Sequence, residues 1–67
     1  MRKIQINDVV KFNKNHRYHG CLGIVISKDK VGREHIYEIA IPIPESGGEH
    51  TIATGKEIVR IGRIEVE

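Results

Sequence analysis

The imbalance among the aliphatic residues most constrains what this chain can fold into. Isoleucine occurs 12 times and valine 6 times, whereas leucine, methionine and phenylalanine occur once each and alanine twice. Branching at Cβ stiffens χ1 and suits a pleated surface, and the best helix formers are nearly missing. The expectation is an all-β domain; a helical bundle, a coiled coil and an α/β nucleotide fold do not fit this composition. At 67 residues the chain holds one domain, residues 1–67, burying roughly 60% of the surface its unfolded form exposes.

Cys21 is the only cysteine, so no disulfide can staple the fold, and a reducing compartment fits better than a secreted one. No apolar run approaches the roughly 18 residues of a membrane span, and with patterned sequence starting at Met1-Arg2-Lys3-Ile4-Gln5 the expectation is no signal peptide. A cytoplasmic protein with no membrane partner is the expectation. An apolar fraction of 39% supports a small core and argues against disorder. The net charge of +2 is too mild to announce a polyanionic partner.

Alternation locates the strands. Ile4, Ile6, Val9, Val10 and Phe12 form a first apolar stretch, interrupted by the turn-prone pair Asn7-Asp8. Asn13 to Gly20 is polar, basic and loop-like. Cys21 to Ser27 places Leu22, Ile24 and Ile26 on one face and Cys21, Gly23 and Val25 on the other. Asp29 to Arg33 reads as a hairpin connection, with Gly32 supplying a positive φ. Tyr37, Ile39, Ile41 and Ile43 alternate with Glu38, Ala40 and Pro42 and should face the core. Pro42 places that end of the strand at an edge, a bend or a strand end. A turn over Pro44–Gly48 leads to a strand from His50 to Thr54. Gly55-Lys56-Glu57 has room for one 3₁₀ turn before Ile58 to Ile61. Ile64 and Val66, alternating with Glu65 and Glu67, suggest a sixth strand or pairing with a second copy.

This order is that of a small five- to six-stranded SH3-like barrel, whose closure removes exposed edges. The stretch Asn7-Asp8-Val9-Val10-Lys11-Phe12, followed by Gly20-Cys21-Leu22-Gly23-Ile24-Val25, resembles the opening of KOW-type and photosystem-subunit-type SH3-like barrels. Those families start with a Gly-Asp-x-Val-x-Val strand and a Gly-x-x-Gly-x-Val strand; Asn7 stands where they often have glycine. The two glycines would let backbones pass closely at the barrel seam. The segment Ile39 to Pro44, with Gly55 to Gly62, resembles small SH3-like proteins of bacteriophages and prophages. That resemblance implies no catalysis, but an accessory or counter-defence protein that binds or sequesters a host factor.

The first loop is the candidate binding surface, holding Lys14, His16, Arg17, Tyr18 and His19. Basic side chains around an aromatic suit phosphate or nucleobase contacts. They equally suit a protein surface or a small anionic ligand, where Tyr and Arg are typical anchors. The plainer reading is a solvated loop with Tyr18 folded over the barrel end. His16-x-x-His19-x-Cys21 gathers three metal-ligand types, with His35 or His50 as a fourth. Without a cysteine pair the expectation is no metal, and Cys21 reads as a small buried residue. Cys21, His19 and Glu38 are the pieces from which nucleophilic catalysis could be assembled. A barrel this small offers a shallow groove rather than a dry pocket, and neither a P-loop nor a GxGxxG motif occurs. No enzyme activity and no cofactor are expected. A basic N-terminal half and an acidic C-terminal end leave homo-oligomerisation through the Ile64–Val66 strand open. The competing functional reading is a KOW-like nucleic-acid or ribonucleoprotein module.

Overall fold

A computed structural model of the chain describes residues 4–43, 45 and 47–64. Over these residues the protein is all-β: β1 (Asp8–Phe12), β2 (Leu22–Val31), β3 (Glu34–Ile41), β4 (Glu49–Thr54) and β5 (Ile58–Arg63). They form one antiparallel sheet in the order β4-β3-β2-β1-β5. Among the described residues no ladder joins the outer strands β4 and β5. The chain itself connects them through a single turn, closed by the Glu57 amide donating to the Thr54 carbonyl at 3.0 Å. The one-turn helix expected there does not extend beyond this bond. No helix among the described residues is long and apolar enough to cross a membrane.

The expected alternation in β3 holds. Tyr37, Ile39 and Ile41 are buried, and Ile43 packs against them at the core's margin. β3 ends at Ile41, immediately before Pro42, as the missing amide donor requires. From β1 come Val10 and Phe12, from β2 Val25, from β4 Ala53 and from β5 Ile58. Fully burying each large aliphatic or aromatic side chain of this set stabilises the fold by about 1.5–3 kcal/mol.

Several sequence-based boundaries change. The β2–β3 hairpin runs on through the segment expected to be its connection, with Val31 paired to Glu34. Only Gly32 and Arg33 lie in the turn. Gly32 has φ 62° and Arg33 does not share the positive φ, the sign pattern of a II′ turn, which matches strand twist. Cys21 is exposed rather than buried: Gly23 and Val25 do face the core, but Cys21 lies before β2 begins, in the last turn of the first loop, where its amide donates to the Tyr18 carbonyl. The expected sixth strand lies mostly outside the described residues; Ile64 donates its amide to the Asn7 carbonyl at 2.9 Å.

The two glycines of the opening motif do different jobs. A Cβ at Gly23 would collide with Ile39 Cγ2 and sit 3.1 Å from the Ala40 carbonyl, so here backbones do pass closely. Gly20 has open space around it and is required instead by its φ of 85°. Asn7, the departure from the families' glycine, has φ 77°. Asparagine is among the few side chains that tolerate this left-handed conformation.

Two β-bulges reset the alternation. In β5, Val9 pairs with Gly62 but Val10 with Arg60, leaving Ile61 as the extra residue. In β2, Val25 pairs with Ile39 but Ser27 with Glu38, leaving Ile26 extra. After each bulge every later side chain changes face.

Candidate functional site

The loop between β1 and β2 is a hydrogen-bonded cap rather than a solvated excursion. Asn13 Oδ1 accepts from the Asn15 amide at 2.9 Å, an Asx turn that starts the loop. Successive turns follow, His16 N–H to Asn13 O, His19 N–H to His16 O and Cys21 N–H to Tyr18 O, at 3.0–3.1 Å. The loop is tied below to β1 by Gly20 N–H to Phe12 O and sideways to the β4–β5 turn by Asn13 Nδ2 to Lys56 O.

The five candidate residues divide. His16 is buried, with 8% of its surface exposed. Its Nδ1 accepts the Tyr18 amide at 3.1 Å, and its Nε2 lies 3.1 Å from the Ile52 carbonyl of β4. Nδ1 must be unprotonated to accept and Nε2 protonated to donate, which fixes the neutral Nε2–H tautomer. Its ring lies 4.5 Å from Phe12 and 5.8 Å from Tyr18, centroid to centroid. His16 is therefore a structural pin that holds the loop beneath its exposed basic side chains. With both ring nitrogens occupied it has no lone pair for a metal. Among the described residues no three His, Cys, Asp or Glu side chains are grouped to hold one ion.

Tyr18 is half-buried and packs against the core. Its hydroxyl donates to Glu49 Oε2 and accepts from Arg17 Nη2 at 2.9 Å. The Arg17 guanidinium also lies over the ring, 4.8 Å from the centroid. Lys14, Arg17 and His19 are exposed. Glu49, 31 residues from Tyr18, was not marked by any local pattern. The Cys21, His19 and Glu38 set is not assembled as a unit; Glu38 pairs instead with His50 at 3.4 Å.

Beside the loop runs an apolar surface. Leu22 and Val59 flank Lys11 across three strands on the outer face of the sheet. They are 49% and 55% exposed, and Ile61 is 52% exposed. A shallow groove of about 280 Å³ lies among Lys11, Phe12, Asn13, Val59 and Ile61. Ile61, two residues after outward-facing Val59, lies on the same side as alternation requires, and the bulge at Ile61 changes the face only of the residues that follow it.

The other ionic centre is Asp8, only 1% exposed. Its carboxylate accepts from the Gln5 amide at 2.7 Å, from Arg60 Nε at 3.1 Å and from Arg63 Nη1 at 3.3 Å. Residues 60 and 63 would lie on opposite faces of a regular strand; the Ile61 bulge brings both to Asp8. Burial alone works to raise the Asp8 pKa, but the Gln5 amide and the two guanidinium groups outweigh it and hold the carboxyl below its ordinary value. Asp8 acts as the lock between β1 and β5. Comparison with known proteins returned no matching family model, no matching curated protein and no matching solved structure.

Proposed function

We propose that this chain is a non-enzymatic binding protein that engages a protein partner through the first loop and the adjoining sheet face. The observation that carries this reading is the exposed apolar row of Leu22, Val59 and Ile61 beside a rigid basic loop. Lys11, paired between Leu22 and Val59, sets a charge among these apolar anchors, the layout of a protein interface that favours a partner bearing carboxylates. Pre-ordering of the loop lowers the entropy cost of binding.

The nucleic-acid reading is weaker at this surface. Tyr18, the aromatic that would stack on a base, already has His16 and Arg17 against its ring and Glu49 at its hydroxyl. A closed SH3-like barrel is the reading we favour for this strand order, and an accessory or counter-defence role in a phage is the biological setting the sequence resemblance suggests.

Photo-cross-linking side chains placed singly at positions 17, 59 and 31 test the proposal in the producing cell. One discrete protein adduct from positions 17 and 59 but not 31, abolished by adding Val59→Ser to the position-17 probe, is expected. Nucleic-acid adducts, or equal adducts from all three positions, would refute it.

A further inference from the structure

The bulge at Ile26 makes the β2–β3 hairpin two-faced in charge. Had alternation continued from buried Val25, Ser27 and Asp29 would share its side of the sheet. The extra residue reverses this. Beyond it, Lys28 pairs with Tyr37 and Lys30 with His35, while Ser27 pairs with Glu38 and Asp29 with Ile36. Directly paired residues share a face, so Lys28, Lys30 and His35 lie on the Tyr37 side, and Asp29 and Glu38 on the reverse.

On the basic side is a groove of about 370 Å³ where Arg33, from the hairpin turn, and Lys56, from the β4–β5 turn, meet His35 and Tyr37. The imidazole of His35 stacks on the Tyr37 ring at 6.4 Å between centroids and 24° between planes. Glu34 is the one acidic residue lining it. The carboxylate of the β4–β5 turn, Glu57, is occupied by the Thr54 amide and hydroxyl at 2.9 and 3.2 Å. Among the described residues, Arg33, His35 and Lys56 have no ion-pair partner.

We propose that this groove binds a small organic phosphate, its phosphate between Arg33 and Lys56 and its organic part against the His35 ring. A guanidinium fork and a mobile ammonium together satisfy several phosphate oxygens. A groove of this volume suits a ligand of mononucleotide size. The site shares no residue with the first-loop surface, so the two proposals stand or fall separately.

The test is amide chemical-shift mapping of the whole chain with adenosine 5′-monophosphate, inorganic phosphate and a single-stranded DNA oligonucleotide as separate probes. The expected result is saturable binding of the mononucleotide, with shifts at residues 33–37 and 54–56. It should bind more tightly than inorganic phosphate and weaken at least about tenfold in an Arg33→Gln/Lys56→Gln variant. Both positions are exposed, and an unchanged melting temperature confirms that the variant is folded. Three results would overturn the proposal: no mononucleotide shifts up to about 10 mM, shifts at Lys14–Gly20 instead, or binding unchanged in the double variant. Equal affinity for inorganic phosphate overturns the organic half of the ligand. Salt-sensitive binding of the oligonucleotide alone marks a polyanion track and overturns the small-molecule assignment.

Discussion

The imidazole Nε2 of His16 donates to the carbonyl oxygen of Ile52 at 3.1 Å, pinning the first loop to β4 across 36 residues of sequence. His16→Ala removes that bond, leaves the Tyr18 amide without its acceptor and opens space beside Phe12. The expected cost is about 2 kcal/mol, read from denaturant unfolding. Amide exchange over residues 14–20 should accelerate more than exchange in β3. Nitrogen-15 spectra of the wild-type imidazole should show the Nε2–H tautomer.

Asp8 predicts a pH dependence with a defined sign. A carboxyl whose folded pKa lies below its unfolded value of 3.8 binds protons more readily in the unfolded state as the solution is acidified. Its stabilisation is complete above the unfolded pKa and is lost as pH falls through the lowered folded value. Asp8→Asn should cost about 1–3 kcal/mol at neutral pH, since it weakens charge-assisted bonds to Gln5, Arg60 and Arg63. The gap between wild-type and variant melting temperatures should close on acidification. A gap that persists unchanged well below pH 3.8 contradicts the role assigned to the carboxylate.

Asn7 should tolerate glycine and resist alanine. At φ 77° an ordinary side chain costs about 1 kcal/mol or more, and glycine costs little. Thermal melts of Asn7→Gly and Asn7→Ala should separate in that order.

The two motif glycines respond to different chemistry. Gly23→Ala drives a methyl into Ile39 and should cost about 1–3 kcal/mol. Gly20→Ala meets no neighbour, so its cost is backbone strain alone. In a chemically synthesised chain, D-alanine at position 20 should keep wild-type stability while L-alanine lowers it.

Elements with an undisturbed two-residue period were legible in the sequence. β3 shows this best, its core face and its end at Pro42 following from residue types alone. The first loop was also located, with its basic and aromatic content. Illegible were the consequences of the two bulges, because one inserted residue inverts a face without changing composition. The Arg60–Asp8–Arg63 cluster and the two charge faces of the hairpin both follow from bulges. His16 looked like a surface ligand because the carbonyl that claims it belongs to a strand 36 positions away. Exposed Cys21 was misread as buried because the alternation it shares with Gly23 and Val25 does not reach it: the strand begins at Leu22 and Cys21 belongs to the loop.

The β1–β5 ladder sets an order of events during synthesis. Asp8 leaves the ribosome ahead of Arg63 and meets it only after 55 further residues have been added. Until then the β2–β4 meander can form by local contacts, but β1 has one open side and Asp8 lacks the guanidinium groups that offset its burial. A fold closed by so distant a pairing has high contact order, which slows the search for the native state. Nascent chains halted before Ile58 should therefore be sensitive to protease, and resistance should arrive in one step once the last strand is free to dock.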